Sequence, residues 1–133
     1  MYLFDTDILT NIVKPLPSPQ LLERLHHLTQ EQQFVSTITI SEIVYGAEKS
    51  NRPQFHLDNL ERILLPAVNI IGFDAKAAYV CGRIRAELEK KGTPLALADL
   101  EIASIAIAND FILVTNNLRH FERIERLQCE SWL

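Results

Sequence analysis

The sequence predicts an α/β domain of three layers, in which helices cover both faces of a central, mainly parallel sheet of four to five strands. Short apolar runs, typical of strands buried on both faces, alternate with stretches of helical periodicity along the chain. No internal repeat, low-complexity tract or linker interrupts this alternation, so residues 1–133 are expected to fold as a single domain. A chain of 133 residues, 47% of them hydrophobic, is large enough to bury a core.

The first part of the chain begins with a buried strand, Tyr2–Phe4. A short helix at residues 8–13 follows and ends at Lys14-Pro15-Leu16-Pro17, because proline cannot continue a helix. Ser18-Pro19 opens the second helix, with proline in its first turn. The second strand is predicted at residues 33–36 and leads directly into a helix at residues 37–49.

The middle of the chain repeats this pattern with a longer helix. A helix at residues 55–65 and a strand at residues 68–71 precede a helix that Asp74 caps and that reaches about Lys91. Small residues fall four apart along this long helix, which predicts that another helix approaches closely there. They are Ala78, Gly82 and Ala86.

The last part of the chain contains the next buried helix and two further strands. Residues 95–109 are rich in alanine and isoleucine and carry little charge, so this helix is expected to be largely buried. A strand at residues 112–115 follows it. A helical turn at residues 118–123 then leads to a last strand at residues 129–132.

Composition and charge exclude several classes of protein. No apolar run approaches the roughly 20 residues that a membrane-spanning helix needs, and the apolar opening stops at Asp5, too short for a secretory signal. The net charge of −4 argues against non-specific nucleic-acid binding but is compatible with a local basic rim. Cys81 and Cys129 are single and far apart, which predicts reduced thiols in a cytoplasmic protein.

Four polar residues lie where a solvated surface does not explain them. Asp5 ends the first strand, and Asn117 lies just past the fourth, at the same edge of a parallel sheet. Glu42 lies on an otherwise apolar helix stripe, and Asp99 continues the buried stripe of its helix. Because carboxylates buried together are unfavourable unless a cation neutralises them, this pattern predicts a site for Mg²⁺ or Mn²⁺.

Each of these positions also has a simpler interpretation. Asp99 suits a helix N-cap, although no Glu or Gln follows three residues later to complete a capping box. Glu42 alone is compatible with a solvated helix acid, and Asp7 suits a cap of the first helix as well as a metal ligand. Asn116-Asn117 suits a turn, and Glu101 lies on a helix flank. None of these residues alone indicates a metal site. The prediction rests on their combined placement, with two of them after strands and two early in helices.

Four segments resemble the PIN-domain ribonucleases and, among them, the VapC toxins of bacterial type II toxin–antitoxin pairs. The segments are LFDTDIL at residues 3–9, ITISEIVYGAEKS at 38–50, RAELEKKGTPLALADLEIASIAIA at 85–108 and LVTNNLRHFERI at 113–124. They occur in the family's order and cover nearly the whole chain. Residues 57–73 contribute little to the resemblance.

The resemblance implies a set of site residues. Asp5, Glu42 and Asp99 match the three acidic metal-site positions of the family, where Mg²⁺ or Mn²⁺ would bind. Thr115 matches a hydroxyl position beside them. Asn117 stands where many members have a fourth acid, so the chain departs from the pattern there and the number of metal ions stays open. These five residues are the expected catalytic set.

The resemblance also implies an activity and partners. The chain is expected to be a magnesium-dependent endoribonuclease that hydrolyses RNA phosphodiester bonds, with tRNA one candidate substrate. A cognate antitoxin whose tail lies over the active site and a second copy of the chain in a homodimer are the expected protein partners. Apolar side chains either serve these contacts or pack against the sheet. They are Leu21, Leu22, Leu25, Phe55 and Leu60.

The sequence is also compatible with two other functions, and it leaves the role of several basic residues undecided. A non-catalytic binding module with the same fold is one alternative, and a phospho-acceptor switch resembling a response-regulator receiver is the other. The receiver is disfavoured because residues 115–117 contain no lysine after the fourth strand. His120 is either a phosphate contact or a surface histidine. Several cations are either an RNA-binding rim or solvated charges. They are Lys90, Lys91, Arg119, Arg123 and Arg126.

Overall fold

The computed structural model describes every residue from Met1 to Leu133 and contains five strands and seven α-helices. The strands are β1 Tyr2–Phe4, β2 Gln33–Ser36, β3 Asn69–Ile71, β4 Ile112–Val114 and β5 Cys129–Glu130. The helices are α1 Thr6–Ile12, α2 Pro19–His26, α3 Thr37–Lys49, α4 Pro53–Asn59, α5 Ala75–Lys90, α6 Leu97–Ala108 and α7 Leu118–Phe121.

The five strands are all parallel and lie in the order β3-β2-β1-β4-β5, so β1 is central. Tyr2 is paired with Gln33 on one side and with Ile112 on the other. The chain moves outward from β1 through β2 to β3, and then crosses back to add β4 and β5 on the opposite side. Between β1 and β4 the direction of winding therefore reverses, which is where parallel sheets open a crevice at their carboxyl ends.

The sheet has an apolar core on each face, which confirms the predicted three layers. Consecutive strand residues point to opposite faces, so Leu3 and Leu113 enter one core while Phe4 and Val114 enter the other. The first core is completed by α5, α6 and the segment that follows α7. The second is completed by α1, α2 and the segment after α4.

The face that α5 buries is not the one that its small residues predict. Its buried side chains lie on a different face, where Ile84 and Leu88 offer more apolar area to remove from water. The buried side chains are Ala77, Cys81, Ile84 and Leu88. The stripe of Ala78, Gly82 and Ala86 is exposed, and a Cβ atom added at Gly82 would meet nothing within 4 Å. The predicted helix approach to that stripe is therefore wrong.

The helix predicted at residues 55–65 is divided in the structure. α4 ends at Asn59, and the backbone continues as a π turn, Leu60–Leu64, and a short 3₁₀ turn that contains Pro66. The Leu65 N–H donates to the Leu60 carbonyl, which is the wider spacing of a π turn. This widening turns Leu60 and Leu64 into the core just before proline ends the helical path.

Two predicted helix caps are confirmed. The Ser18 hydroxyl accepts from the Leu21 N–H at 3.3 Å, and Asp74 accepts from the Ala77 N–H at 2.9 Å, so both residues cap their helices. Cys81 and Cys129 are free thiols. No helix combines the length and the apolar character needed to cross a bilayer.

The apolar side chains considered for partner contacts divide between core and surface. Leu21 and Leu60 are buried in the second core. Leu22 and Phe55 are 44% and 47% exposed, and Leu25 is half-buried. Only the exposed members of the set are therefore available to another molecule.

Trp132 anchors the carboxyl-terminal segment to the centre of the sheet. Its ring is fully buried and packs edge-on against Tyr2 and Phe4, with centroid distances of 4.9 and 5.8 Å. The Arg24 guanidinium lies 4.3 Å from the ring centroid and its Nη2 is 3.6 Å from Glu130 Oε1. Burial of a large ring with aromatic and cationic neighbours makes this segment a major stabilising contact.

The substitution Trp132→Ala is expected to lower the free energy of unfolding by about 3–5 kcal/mol, because it leaves a cavity against β1. Urea denaturation measures this change. Leu16→Ala is the matched control, since Leu16 is 90% exposed, and it should change stability by less than about 0.5 kcal/mol. Equal stability of the two variants would show that the segment does not depend on Trp132.

Candidate active site

The centre of the candidate site is a buried pair, Asp5 and Thr115, that follows the two adjacent strands β1 and β4. Asp5 is 7% exposed and Thr115 is fully buried. The Thr115 hydroxyl donates to Asp5 Oδ2 at 2.8 Å and accepts from the Asn117 N–H at 3.0 Å. The Thr6 N–H donates to Asp5 Oδ1 at 2.8 Å, which also makes Asp5 the N-cap of α1. Both carboxylate oxygens are thus fixed in direction.

Asp7 belongs to the same sheet edge but does not cap α1, because that position is held by Asp5. Its Oδ2 accepts from the Asn116 N–H at 2.9 Å and so connects α1 to the loop after β4. Its Oδ1 is buried and has no hydrogen-bond partner. A buried oxygen without a donor is costly unless a cation or a water molecule completes its environment.

Glu42 comes to the site on α3, which begins directly after β2 with Ser36 as its N-cap. The residue is exposed, so the predicted apolar stripe does not bury it. Nevertheless the Thr6 hydroxyl donates to Glu42 Oε1 at 2.8 Å. This bond holds the Glu42 carboxylate near Asp5 and restricts its rotation.

Asp99 is the third residue of α6 and is not its N-cap, a position that Ala96 occupies. Its side chain is 25% exposed, while Ile102 and Ala103 behind it are fully buried. His120 Nδ1 lies 3.8 Å from Asp99 Oδ2. The N-terminal turn of α6 therefore presents a carboxylate to the site with one histidine beside it.

Burial raises the pKa of three of these carboxyl groups, and the charge of Asp5 raises two of these pKa values further. Burial raises the pKa of Asp5 above its ordinary value of 3.8, opposed by the bonds from Thr115 and Thr6. Burial and then the Asp5 charge raise the pKa of Asp7. Burial and then the Asp5 charge also raise the pKa of Asp99, which His120 lowers and Glu42 raises further. Such repulsion shows that the carboxylates share one electrostatic environment.

The remaining predicted residues take smaller parts in this geometry. Asn117 is exposed, and its backbone N–H, rather than its side chain, contacts Thr115. Glu101 is half-buried on the flank of α6. Sequence reasoning gave Thr6 no role, although its place between two aspartates was the available signal, and it left His120 as either a phosphate contact or a surface histidine. The structure brings both of these residues to the acids.

The donor set suits a hard divalent cation. All the acidic donors are oxygens, and one of them, Asp7 Oδ1, is buried without a partner. The charge of Asp5 acts on both Asp7 and Asp99. No group of three or more acidic, histidine or cysteine side chains is close enough to bind an ion as the side chains stand. A Mg²⁺ ion needs only one or two carboxylates, because water and phosphate oxygens complete its shell, and its binding here stays a prediction.

The predicted basic rim is partly committed to internal contacts. Arg123 Nη1 donates to the Pro94 carbonyl at 2.9 Å, and Lys91 Nζ lies 3.7 Å from Glu125 Oε1. Arg119, Arg126 and Lys90 are exposed. The cations near α7 therefore form a mixed, partly paired surface.

Comparison with known proteins places this geometry in a family. Residues 2–127 match the family model described as "PIN domain". The chain belongs to the PIN-domain family. Among curated proteins, it is 37% identical over 131 residues to the Shigella flexneri "tRNA(fMet)-specific endonuclease VapC", covering 98% of this chain and 97% of that one. It is 38% identical over 134 residues to "Ribonuclease VapC2" of Haemophilus influenzae, covering 99% and 98%.

Chains in solved structures of VapBC complexes show the same fold over almost their full length. VapBC2 from Rickettsia felis, bound to a DNA fragment from its promoter, superposes with a TM-score of 0.91 at 35% identity, covering 99% of this chain and 98% of that one. DNA-bound VapBC from Salmonella typhimurium gives a TM-score of 0.88 at 38% identity, covering 99% and 98%. The recognised resemblance to VapC proteins is thereby confirmed.

The raised pKa values predict how stability of this PIN domain depends on pH in EDTA. A carboxyl group whose folded pKa exceeds its unfolded value of 3.8 destabilises the fold when ionised, and this cost is removed as pH falls through the folded pKa. Asp99→Asn should therefore unfold at a higher temperature than wild type at pH 7. The difference should shrink as the pH is lowered towards 4.

The matched control for this pH dependence is Asp110→Asn. Asp110 precedes β4, at the opposite end of the sheet, and its positive φ of 59° is tolerated by asparagine. The control should show no comparable gain at pH 7. Thermal unfolding followed by circular dichroism measures both variants, and an Asp99→Asn protein less stable than wild type at pH 7 would contradict the electrostatic account.

Proposed function

We propose that this chain is a metal-dependent endoribonuclease and acts as the toxin of a toxin–antitoxin pair. The observation that carries the proposal is the convergence of Asp5, Asp7, Glu42 and Asp99 at the carboxyl edge of the sheet, despite the cost of their repulsion. The names of the VapC relatives supply the reaction class, since they are called ribonucleases or a tRNA-specific endonuclease. Structured RNA of the tRNA class is accordingly the proposed substrate.

The chain's own residues have distinct tasks in this reaction. Asp5 and Asp99 would hold Mg²⁺ or Mn²⁺, with Glu42 completing the shell or orienting a water molecule. The bound cation would supply Lewis-acid polarisation of the scissile phosphate and activation of the attacking water. Thr115 and the Thr6 N–H keep the Asp5 carboxylate in one orientation, and the Thr6 hydroxyl does the same for Glu42.

His120 and Asn117 border the acids without being part of the ligand set. The His120 side chain is 46% exposed and its free edge is available to a phosphate oxygen beside Asp99. Asn117 offers an amide in place of a further carboxylate. An amide oxygen ligates a metal without adding charge, which favours a single cation at this site.

The proposed protein partner is an antitoxin. The similar structures from Rickettsia felis and Salmonella typhimurium are both VapBC complexes, which supports a VapB-like partner for this chain. The homodimer and the cytoplasmic location expected from the sequence stay predictions. Gel filtration with light scattering at micromolar concentration would decide the oligomeric state.

Asp99→Asn is expected to abolish RNA cleavage without loss of fold. Purified wild-type chain incubated with total bacterial RNA and Mg²⁺ should give discrete products, and EDTA should prevent them. Asp99→Asn should lower the cleavage rate by about 10²–10³-fold or more, the loss typical of removing a group that stabilises transition-state charge. Asp110→Asn should cleave at the wild-type rate.

Two outcomes would contradict this function. Cleavage that persists in EDTA would exclude a metal-dependent mechanism. A folded wild-type chain that releases no product with Mg²⁺ would instead favour a binding module of the same fold. Since Asp99→Asn is expected to be more stable than wild type in EDTA, a lack of activity in this variant is not confused with unfolding.

A further inference from the structure

A groove with three basic side chains in its lining lies between the end of α1 and the start of α4. Its walls include Thr10, Lys14 and Pro15 on one side and Arg52, Phe55 and His56 on the other, and its volume is about 550 Å³. No acidic residue lines it, although the chain as a whole carries a net charge of −4. The groove is thus a local concentration of positive charge on an acidic protein.

Two exposed aromatic rings, one on α3 and one at the start of α4, each have a cation beside them. Lys49 Nζ lies 5.0 Å from the centroid of Tyr45, and Arg52 Cζ lies 4.2 Å from the centroid of Phe55. Tyr45 and Phe55 are nevertheless 64% and 47% exposed. Large rings that the fold leaves in water, each next to a positive charge, are the elements of a surface that binds unpaired nucleotides.

α3 connects the acids to the ring and cation pairs, because it carries Glu42 near its start and ends at Lys49, three residues before Arg52. Glu42, Tyr45 and Lys49 occur at positions i, i+3 and i+7 of α3 and therefore share one helix face. The Thr6–Glu42 hydrogen bond connects the first turn of α1 to the first half of α3. α1 advances about 9 Å from Thr6 to Ile12, and Lys14 follows two residues later, so the groove lies within reach of a strand bound at the site.

We infer that this surface, called here the RNA track and consisting of Lys14, Tyr45, Lys49, Arg52, Phe55 and His56, binds an unpaired RNA segment next to the cleaved phosphate. Tyr45 and Phe55 stack on bases, while the cations contact phosphates. The inference rests on the proposed ribonuclease function. It selects single-stranded regions, such as tRNA loops, because paired bases do not offer their faces to an aromatic ring.

Phosphates fit this surface better than an uncharged protein segment does. An apolar partner helix would cover Lys49 and Arg52 without supplying a counter-charge, which is unfavourable. An RNA backbone supplies one negative charge per nucleotide along the whole track. A ring with a cation beside it occurs twice, on α3 and at the start of α4.

The test measures binding of a fluorescein-labelled, unstructured 12-nucleotide RNA by anisotropy. All variants carry Asp99→Asn and are held in EDTA so that no cleavage occurs. Tyr45→Ala should weaken binding about 5- to 100-fold, the range for losing one base stack, whereas Tyr45→Phe should retain it. Lys49→Gln with Arg52→Gln should reduce the slope of log affinity against log salt by about 0.7 per charge.

The matched controls lie on α5, away from the RNA track. Tyr79 is 72% exposed, and Tyr79→Ala and Lys76→Gln should bind RNA as the parent does. If Tyr45→Ala behaves like Tyr79→Ala, the inference is wrong and the surface serves another class of partner, such as a protein. Tighter binding of a duplex of the same sequence than of the single strand would also overturn it.

The same variants in the catalytically intact chain separate this inference from the proposed function. With Mg²⁺, Tyr45→Ala should raise KM for RNA and leave kcat close to wild type, because its effect is on binding. If wild type cleaves RNA and Tyr45→Ala shares its KM, only the RNA track is refuted. If wild type cleaves nothing, the proposed function fails, while the anisotropy result still decides the track.

Discussion

The repulsion among carboxylates at the carboxyl edge of the sheet is the constraint on which the rest of the site depends. Asp5, Asp7 and Asp99 all have raised pKa values, first from burial and then, for Asp7 and Asp99, from the charge of Asp5. A protein selected only for stability would separate these groups or replace them. Their retention in one environment is a stability cost of the kind that functional sites carry, and a divalent cation is the simplest means of offsetting it.

The fold fixes this arrangement through the position of β1 and through very short connections. Because β1 is central and the winding reverses beside β4, Asp5 and Thr115 become neighbours although 110 residues separate them. No loop separates Asp5 from α1 or β2 from α3. The positions of Thr6 and Glu42 are therefore fixed by the strands that precede their helices. The hydroxyl groups of Thr6 and Thr115 then orient the acids, which gives a precise site without a closed cavity around it.

The sequence predicted the parts of this structure that depend on local pattern. Buried strands and proline breaks are visible in short windows, and Asp5 and Asp99 were identified because each interrupts or continues an apolar pattern. The wrong face was predicted for α5 because small residues occur four apart on both its buried and its exposed sides. The π turn after α4 and the approach of His120 to Asp99 arise from tertiary packing, which no window of sequence contains.

We propose that Asp5, Asp7 and Asp99, whose pKa values are raised, form a cation site together with Glu42. The most direct measurement adds substoichiometric Mn²⁺ to ¹³C-labelled protein and follows the side-chain carboxyl resonances by NMR. Paramagnetic broadening should appear first at Asp5 and Asp99, followed by Asp7 and Glu42, and excess Mg²⁺ should reverse it. Weak broadening spread evenly over exposed acids such as Glu87, Glu89 and Glu125, with the four site residues unaffected, would contradict the account.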